Sequence, residues 1–259
     1  MTMIRLGCAV AIAAALTACL PPESEAPAAD SSPPPTAHPD LSGVWMAFAV
    51  ESPDGARTPQ YSPEGEAMLA AFAAQFTQVP ETGAWCYGSG MPGMMLSTVS
   101  YPIEIVQHPT RLVMVAELET QVRRVYLDGR PHPDDFPPQG VGHSVGTWDG
   151  DTLVIDTALL SEWPMRPWPR TEQMRIVERV HLTKLGLVAA RPTGFVATVE
   201  KPINDDVLVI EMTITDPAVY AGPERRTAYY QRMADTATLE YACSAEHWLE
   251  ELEKNRVSR

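Results

Sequence analysis

The sequence predicts a mainly β domain, an antiparallel sheet closed into a barrel, with a β-sandwich as the alternative. Three observations carry this expectation. About ten short runs rich in β-branched and aromatic residues follow one another between Tyr101 and Tyr241, separated by turn residues. Helical spacing is confined to one early segment and one closing segment. No crossover helices separate the strand-like runs, which disfavours a parallel α/β sheet. Consecutive hairpins give up-and-down order, and that order favours a barrel.

The elements follow in chain order. Gly43-Val44-Trp45 opens the first strand. This Gly-x-Trp resembles the opening of lipocalin-like barrels, whose tryptophan packs across the barrel base. Residues 63–76 read as a helix: Ser62 can cap it, Pro63 suits its first turn, and Met68, Leu69, Phe72 and Phe76 recur at helical spacing. Residues 88–95 are rich in Gly, Met and Pro and predict a loop without a regular element. Strands are expected over 103–107, 111–118 and 122–127, followed by the Asp128-Gly129-Arg130-Pro131-His132-Pro133 turn. Residues 144–148 and 152–157 flank Asp149-Gly150, a strong hairpin signal. Further strands are expected over 174–183, 187–190, 195–199, 207–215, 225–232 and 238–241. Within 174–183, Glu178 interrupts an otherwise regular alternation. Residues 245–256 read as a closing helix, acidic early and basic late, which suits its dipole.

The N-terminus has a different character. Arg5 is followed by an uncharged stretch, 6–18, too short at about 1.5 Å per residue to cross a bilayer core of about 30 Å. It suits a signal-peptide core over 1–18. Leu16-Thr17-Ala18-Cys19 resembles the bacterial lipobox, which implies cleavage before Cys19 and lipidation of that cysteine. Leu20, rather than Asp, is expected by the same resemblance to direct the protein to the outer membrane, facing the periplasm. Residues 19–39 are rich in Pro, Ala, Ser and Glu and predict a disordered spacer, leaving 40–259 as one barrel domain. The net charge of −14 disfavours nucleic acid as a partner. In an exported domain Cys86 and Cys243 form an even pair and are expected to make a disulfide; two separate buried thiols are the alternative.

The runs Arg123-Arg124-Val125-Tyr126-Leu127-Asp128-Gly129-Arg130-Pro131-His132-Pro133 and Gly142-His143-Ser144-Val145-Gly146-Thr147-Trp148-Asp149-Gly150-Asp151-Thr152-Leu153-Val154-Ile155-Asp156-Thr157 resemble a large family of secreted bacterial proteins. The family is mostly uncharacterised and lipocalin-like in shape. The resemblance extends from Trp85 to about Glu246, and it implies a lipocalin-like barrel without assigning an activity. The chain departs from the family after Thr157, where Ala158-Leu159-Leu160-Ser161-Glu162-Trp163 replaces a Gly-Phe and an aromatic-rich loop.

Chemistry is expected first at a polar cluster of Tyr126, Asp128, Arg130, His132, His143 and Asp151. His132 and His143 can act as acid and base near neutral pH, with Asp128 beside them and Arg130 holding an oxyanion. The competing reading is turn chemistry, with Asp128 accepting backbone N–H groups and Arg130 pairing with a carboxylate. Tyr126, Trp163, Trp168, Arg175 and Met94 are the expected ligand-binding residues, the tryptophans on a Pro-rich loop near a barrel mouth. No metal site is expected, because Asp128, His132 and His143 match no standard ligand spacing. There is no Gly-x-Ser-x-Gly elbow, P-loop or dinucleotide fingerprint, and no organic cofactor is expected. Two functions compete. One is a membrane-anchored protein whose barrel binds a small, partly apolar molecule. The other is a cofactor-independent lyase, isomerase or hydrolase using His132 and His143 in the barrel mouth. A purely structural envelope protein is the third possibility.

Overall fold

A computed structural model describes residues 38–78, 88–97, 101–188, 202–234, 236–241 and 245–257. The signal segment, Cys19, Cys86, Cys243 and the strand expected over 195–199 lie outside the described residues.

The sheet is a closed barrel of nine strands in sequence order: β1 (Gly43–Glu51), β2 (Ile103–His108), β3 (Arg111–Ala116), β4 (Gln121–Tyr126), β5 (His143–Asp149), β6 (Thr152–Ala158), β7 (Arg175–Lys184), β8 (Pro202–Thr215) and β9 (Glu224–Met233). β1 closes on β9 antiparallel. The barrel, not the sandwich, is therefore the architecture. Pure up-and-down order needs one correction, since β4 and β5 pair in parallel, through Val125↔Ser144 and Tyr126↔Val145. An odd number of strands closed antiparallel at the seam requires one such parallel step. A parallel pair cannot be joined by a tight hairpin and needs a connection of a dozen or more residues. Residues 127–142 supply it.

α1 (Pro63–Ala73) starts as expected, with the Ser62 hydroxyl accepting from the Gly65 N–H at 2.9 Å and Pro63 in the first turn. It stops short of Phe76, which packs with Trp163, Met165 and Leu252 in a small second apolar cluster. α3 (Ala245–Lys254) closes the chain. One strand expectation fails and one is described only at its start. Of 187–190 only 187 and 188 are described, Leu187 ending a 3₁₀ turn over Leu185–Leu187, and 238–241 run without a sheet ladder. In the latter, the Leu239 N–H donates to the Glu117 carboxylate at 2.7 Å instead of to a neighbouring strand.

The loop expected over 88–95 contains a short helix, α2 (Gly93–Leu96), and it plugs the barrel. Met91, Met94 and Met95 are fully buried in one apolar cluster with Trp45, Met114 and Tyr230. Met suits this position because its unbranched, polarisable side chain fills irregular space. The plug is stitched in by polar contacts. The Tyr230 hydroxyl donates to the Met95 carbonyl. The Arg170 guanidinium, 1 % exposed, donates to the carbonyls of Ser89 at 2.6 Å, Met91 at 3.1 Å and Ser161 at 2.7 Å. The Gly90 N–H donates to the Gln121 side chain at 2.8 Å, and the Ser89 N–H to Glu119 at 3.3 Å. Glu119 itself sits at a φ of 61°, and burial raises its carboxyl to about 7. Gly90 must be glycine: its φ is +67°, and a Cβ there would lie 1.9 Å from the Gly140 carbonyl oxygen.

One polar network crosses the otherwise apolar interior. Alternation along β4 to β7 turns Arg123, Ser144, Thr157 and Glu178 inward. Arg123 and Glu178 pair with both side chains fully buried. Arg123 also donates to Ser144 at 3.1 Å and Thr157 at 2.8 Å, and those two hydroxyls share a hydrogen bond at 2.8 Å. Glu178, which breaks the sequence alternation, is thus an inward residue whose charge is matched. Removing one partner strands the other charge. Arg123→Met is expected to cost about 3–5 kcal/mol, whereas Arg123→Met with Glu178→Leu recovers most of it. Urea denaturation of the two variants checks this, and equal losses would contradict it.

Candidate functional site

The connection over 127–142 determines where His132 lies. Inward positions of β4 to β6 belong to Val125, Ser144, Ile155 and Thr157, so Tyr126, His143 and Asp156 face the outer wall. The connection folds over this wall. Its backbone is fixed by Met91 N–H donating to the Gly140 carbonyl at 2.9 Å and by Gln139 pairing with the chain after β6. His132 comes down onto His143, the first residue of β5, and their Nδ1 atoms are 2.9 Å apart. The rings meet edge to face at a centroid distance of 5.0 Å. Tyr126 stacks on His143 at 5.1 Å, and Phe136 approaches the same ring at 5.5 Å. His143 is left only 6 % exposed.

Asp156 completes the group. Its Oδ2 lies 3.5 Å from His132 Nε2 and accepts from Arg175 Nη2 at 2.8 Å. Among the described residues, His132 Nε2 and Asp156 Oδ1 are buried atoms without a hydrogen-bond partner. Arg130 and Asp128 engage each other, with Arg130 Nε donating to Asp128 at 2.9 Å and the guanidinium lying 4.1 Å over the Tyr126 ring. They brace the turn and place a cation near His143.

The electrostatics separate the two rings. Burial, then the charges of His132 and Arg130, lower the His143 pKa below the usual 6.5. Two imidazolium charges 5.0 Å apart repel by roughly 3 kcal/mol at an effective dielectric of about 20. A hydrogen bond between two Nδ1 atoms needs one to donate and the other to accept, so only one of them can carry a proton at this contact. The arrangement can hold one proton between two rings, beside one carboxylate and one exposed guanidinium. That is acid–base equipment.

The expected site residues divide accordingly. His132, His143, Tyr126 and Arg175 come together, with Asp128 and Arg130 in the adjoining turn. The site is on the outer wall, not in the barrel mouth. Met94 and Trp168 belong to the barrel core, and Trp163 to the second cluster, where its backbone pairs with Arg170. Sequence reasoning missed Asp156 and Phe136. Asp156 was accessible to it: the Asp149-Gly150 hairpin register pairs Val145 with Asp156, two residues along from His143↔Ala158 and so on the same face of the sheet. Phe136 carried no such signal, because only the folded connection brings it to the ring. Among the described residues no group of three or more His, Cys, Asp or Glu side chains is arranged to hold a metal.

A depressed histidine pKa fixes the sign of a pH effect. The folded state binds this proton more weakly than the unfolded chain. The stability of the neutral ring is therefore present above pH 6.5 and is lost as the pH falls through the lower folded value. Protection factors for amide exchange across 127–142, taken relative to the intrinsic exchange rate at each pH, should fall as the pH falls from 8 to 5, and His143→Asn should flatten that dependence. Protection factors that do not change with pH in the wild-type protein would contradict it. No protein-family model matches the chain, and no curated protein matches it.

Proposed function

We propose that the protein is a membrane-anchored bacterial envelope lipoprotein whose barrel carries a cofactor-independent acid–base site on its outer wall. In this reading Cys19 bears the lipid, the spacer to about residue 39 holds the barrel off an outer membrane, and Cys86–Cys243 is a disulfide. The family resemblance supports a secreted role. The observation that carries the catalytic part is the 2.9 Å contact between His132 Nδ1 and His143 Nδ1, with Asp156 behind it. His143, kept neutral, serves as base toward a small polar substrate. Arg175, 53 % exposed at its side chain, is the group available to steady developing negative charge. The reaction class is lyase, isomerase or hydrolase chemistry. The barrel-cavity binding reading has weaker support, because Met94 and Trp168, its expected lining, are core side chains.

Purified full-length protein in detergent, screened against small hydroxy and carboxy metabolites and esters, should show turnover. His132→Gln and His143→Gln should each reduce kcat by about 10²–10⁴. Turnover that survives both substitutions removes the histidines from the mechanism. Anchoring has its own test. Labelled palmitate should be incorporated by the wild type and not by Cys19→Ser, and a protein that remains unlabelled in both forms is not lipidated.

A further inference from the structure

A second polar pocket lies at the barrel end where β8 turns into β9, and it shares no residue with the histidine site. It has a volume of about 270 Å³ and is lined by Pro53, Asp54, Gln60, Gly222, Pro223, Glu224, Arg225 and Arg226. Glu224 and Arg226 alternate inward at the start of β9, in phase with Ala228 and Tyr230. Arg226 is 5 % exposed. Its guanidinium lies 5.4 Å from the Trp168 ring, so an aromatic side chain fixes its position. Its Nη1 is fully used, donating to the Arg225 carbonyl at 2.7 Å and facing Glu224 Oε2 at 3.0 Å. The second Glu224 oxygen accepts from the Gln60 N–H at 2.7 Å. Arg226 Nη2 has no hydrogen-bond partner among the described residues, although it is buried.

A buried, unpaired guanidinium nitrogen is costly unless something accepts its hydrogens. The protein around it does not. Glu224 is committed to Nη1 and Gln60. Asp54 uses one carboxylate oxygen, Oδ1, for both the Ser52 hydroxyl at 2.7 Å and the Ala56 N–H at 3.0 Å, and it makes no hydrogen bond to Arg226 among the described residues. Arg225 adds a second cation on the rim, and Pro53, Pro223 and Gly222 make the remaining wall apolar.

We propose that this pocket binds a small monocarboxylate, its carboxylate accepting from Arg226 Nη2 and its apolar body lying against Pro53 and Pro223. The chemistry follows from the charge balance. One buried donor nitrogen is unpaired among the described residues, and Arg225 offsets a single negative charge. Asp54 and Glu224, lining the same space, repel a divalent anion such as phosphate. The volume admits a compact ligand, at the lower end of ordinary small-molecule sites.

Titrating the full chain with sodium benzoate, with inorganic phosphate as the parallel probe, tests this by calorimetry and by NMR of the arginine side-chain and tryptophan indole signals. Saturable benzoate binding that shifts the Arg226 and Trp168 signals is expected, with phosphate binding more weakly. Arg226→Lys, which keeps the charge and removes Nη2, should weaken benzoate by about tenfold or more. Arg225→Gln alters only the exposed rim and should weaken it about two- to fivefold, which keeps the test valid if Arg226→Lys does not fold. The proposal is overturned by non-saturable benzoate binding, by phosphate binding more tightly than benzoate, by shifts at His132 and His143 instead, or by wild-type affinity in a folded Arg226→Lys or Arg225→Gln variant.

Discussion

A closed sheet of nine strands cannot alternate direction all the way round. β1 and β9 meet antiparallel, so the number of parallel neighbouring pairs must be odd, and here it is one, β4 with β5. Much of the rest follows from that parity. The parallel step forbids a tight turn and demands a long connection. The connection has to leave the sheet and return beside it, so it lies over the outer wall. It carries His132 to His143, Phe136 to the same ring and Gly140 to the methionine loop. The candidate site and the plug of the barrel are therefore anchored by the same segment.

The interior is organised by charge as well as by apolar packing. Arg123 and Glu178 reach across from β4 and β7, with Ser144 accepting from Nε and Thr157 accepting from Nη2 beside Glu178. Such a pair contributes little net stability against apolar replacements. Its effect is on register: slipping β5 or β6 by one residue would turn Ser144 or Thr157 outward and leave Arg123 unsatisfied. The same register presents His143 and Asp156 to the outer wall. Arg170 plays a parallel role at the plug, where one guanidinium holds three carbonyls from two segments. The chain thus uses buried arginines where a purely apolar core would specify position poorly.

The two polar sites differ in what they ask of a ligand. On the outer wall, two imidazole rings meet through their Nδ1 atoms beside a carboxylate, as the proposed acid–base role requires. At the β8–β9 end, a buried guanidinium against Trp168 has one nitrogen unpaired among the described residues, on which the proposed anion site rests. They share no side chain, so occupation of one places no steric demand on the other.

Local sequence signals determined a good deal. Alternating β-branched runs, the Asp149-Gly150 turn and the Ser62-Pro63 helix start each depend on neighbouring residues, and each gave an element close to its observed place. The same holds for bringing His132 to His143, since only 11 residues separate them along the chain. Where a residue's role depended on a distant partner, the sequence was silent. Glu178 reads as a flaw in β7 until Arg123 is seen opposite it. Trp168 and Met94 read as ligand contacts until the fold packs both into the barrel core. Asp156 lacks a role until the strand faces are assigned. Inside against outside is the property only the tertiary structure decided. Alternation gives two faces to every strand, and barrel closure, with its one parallel step, chooses which of them meets the core.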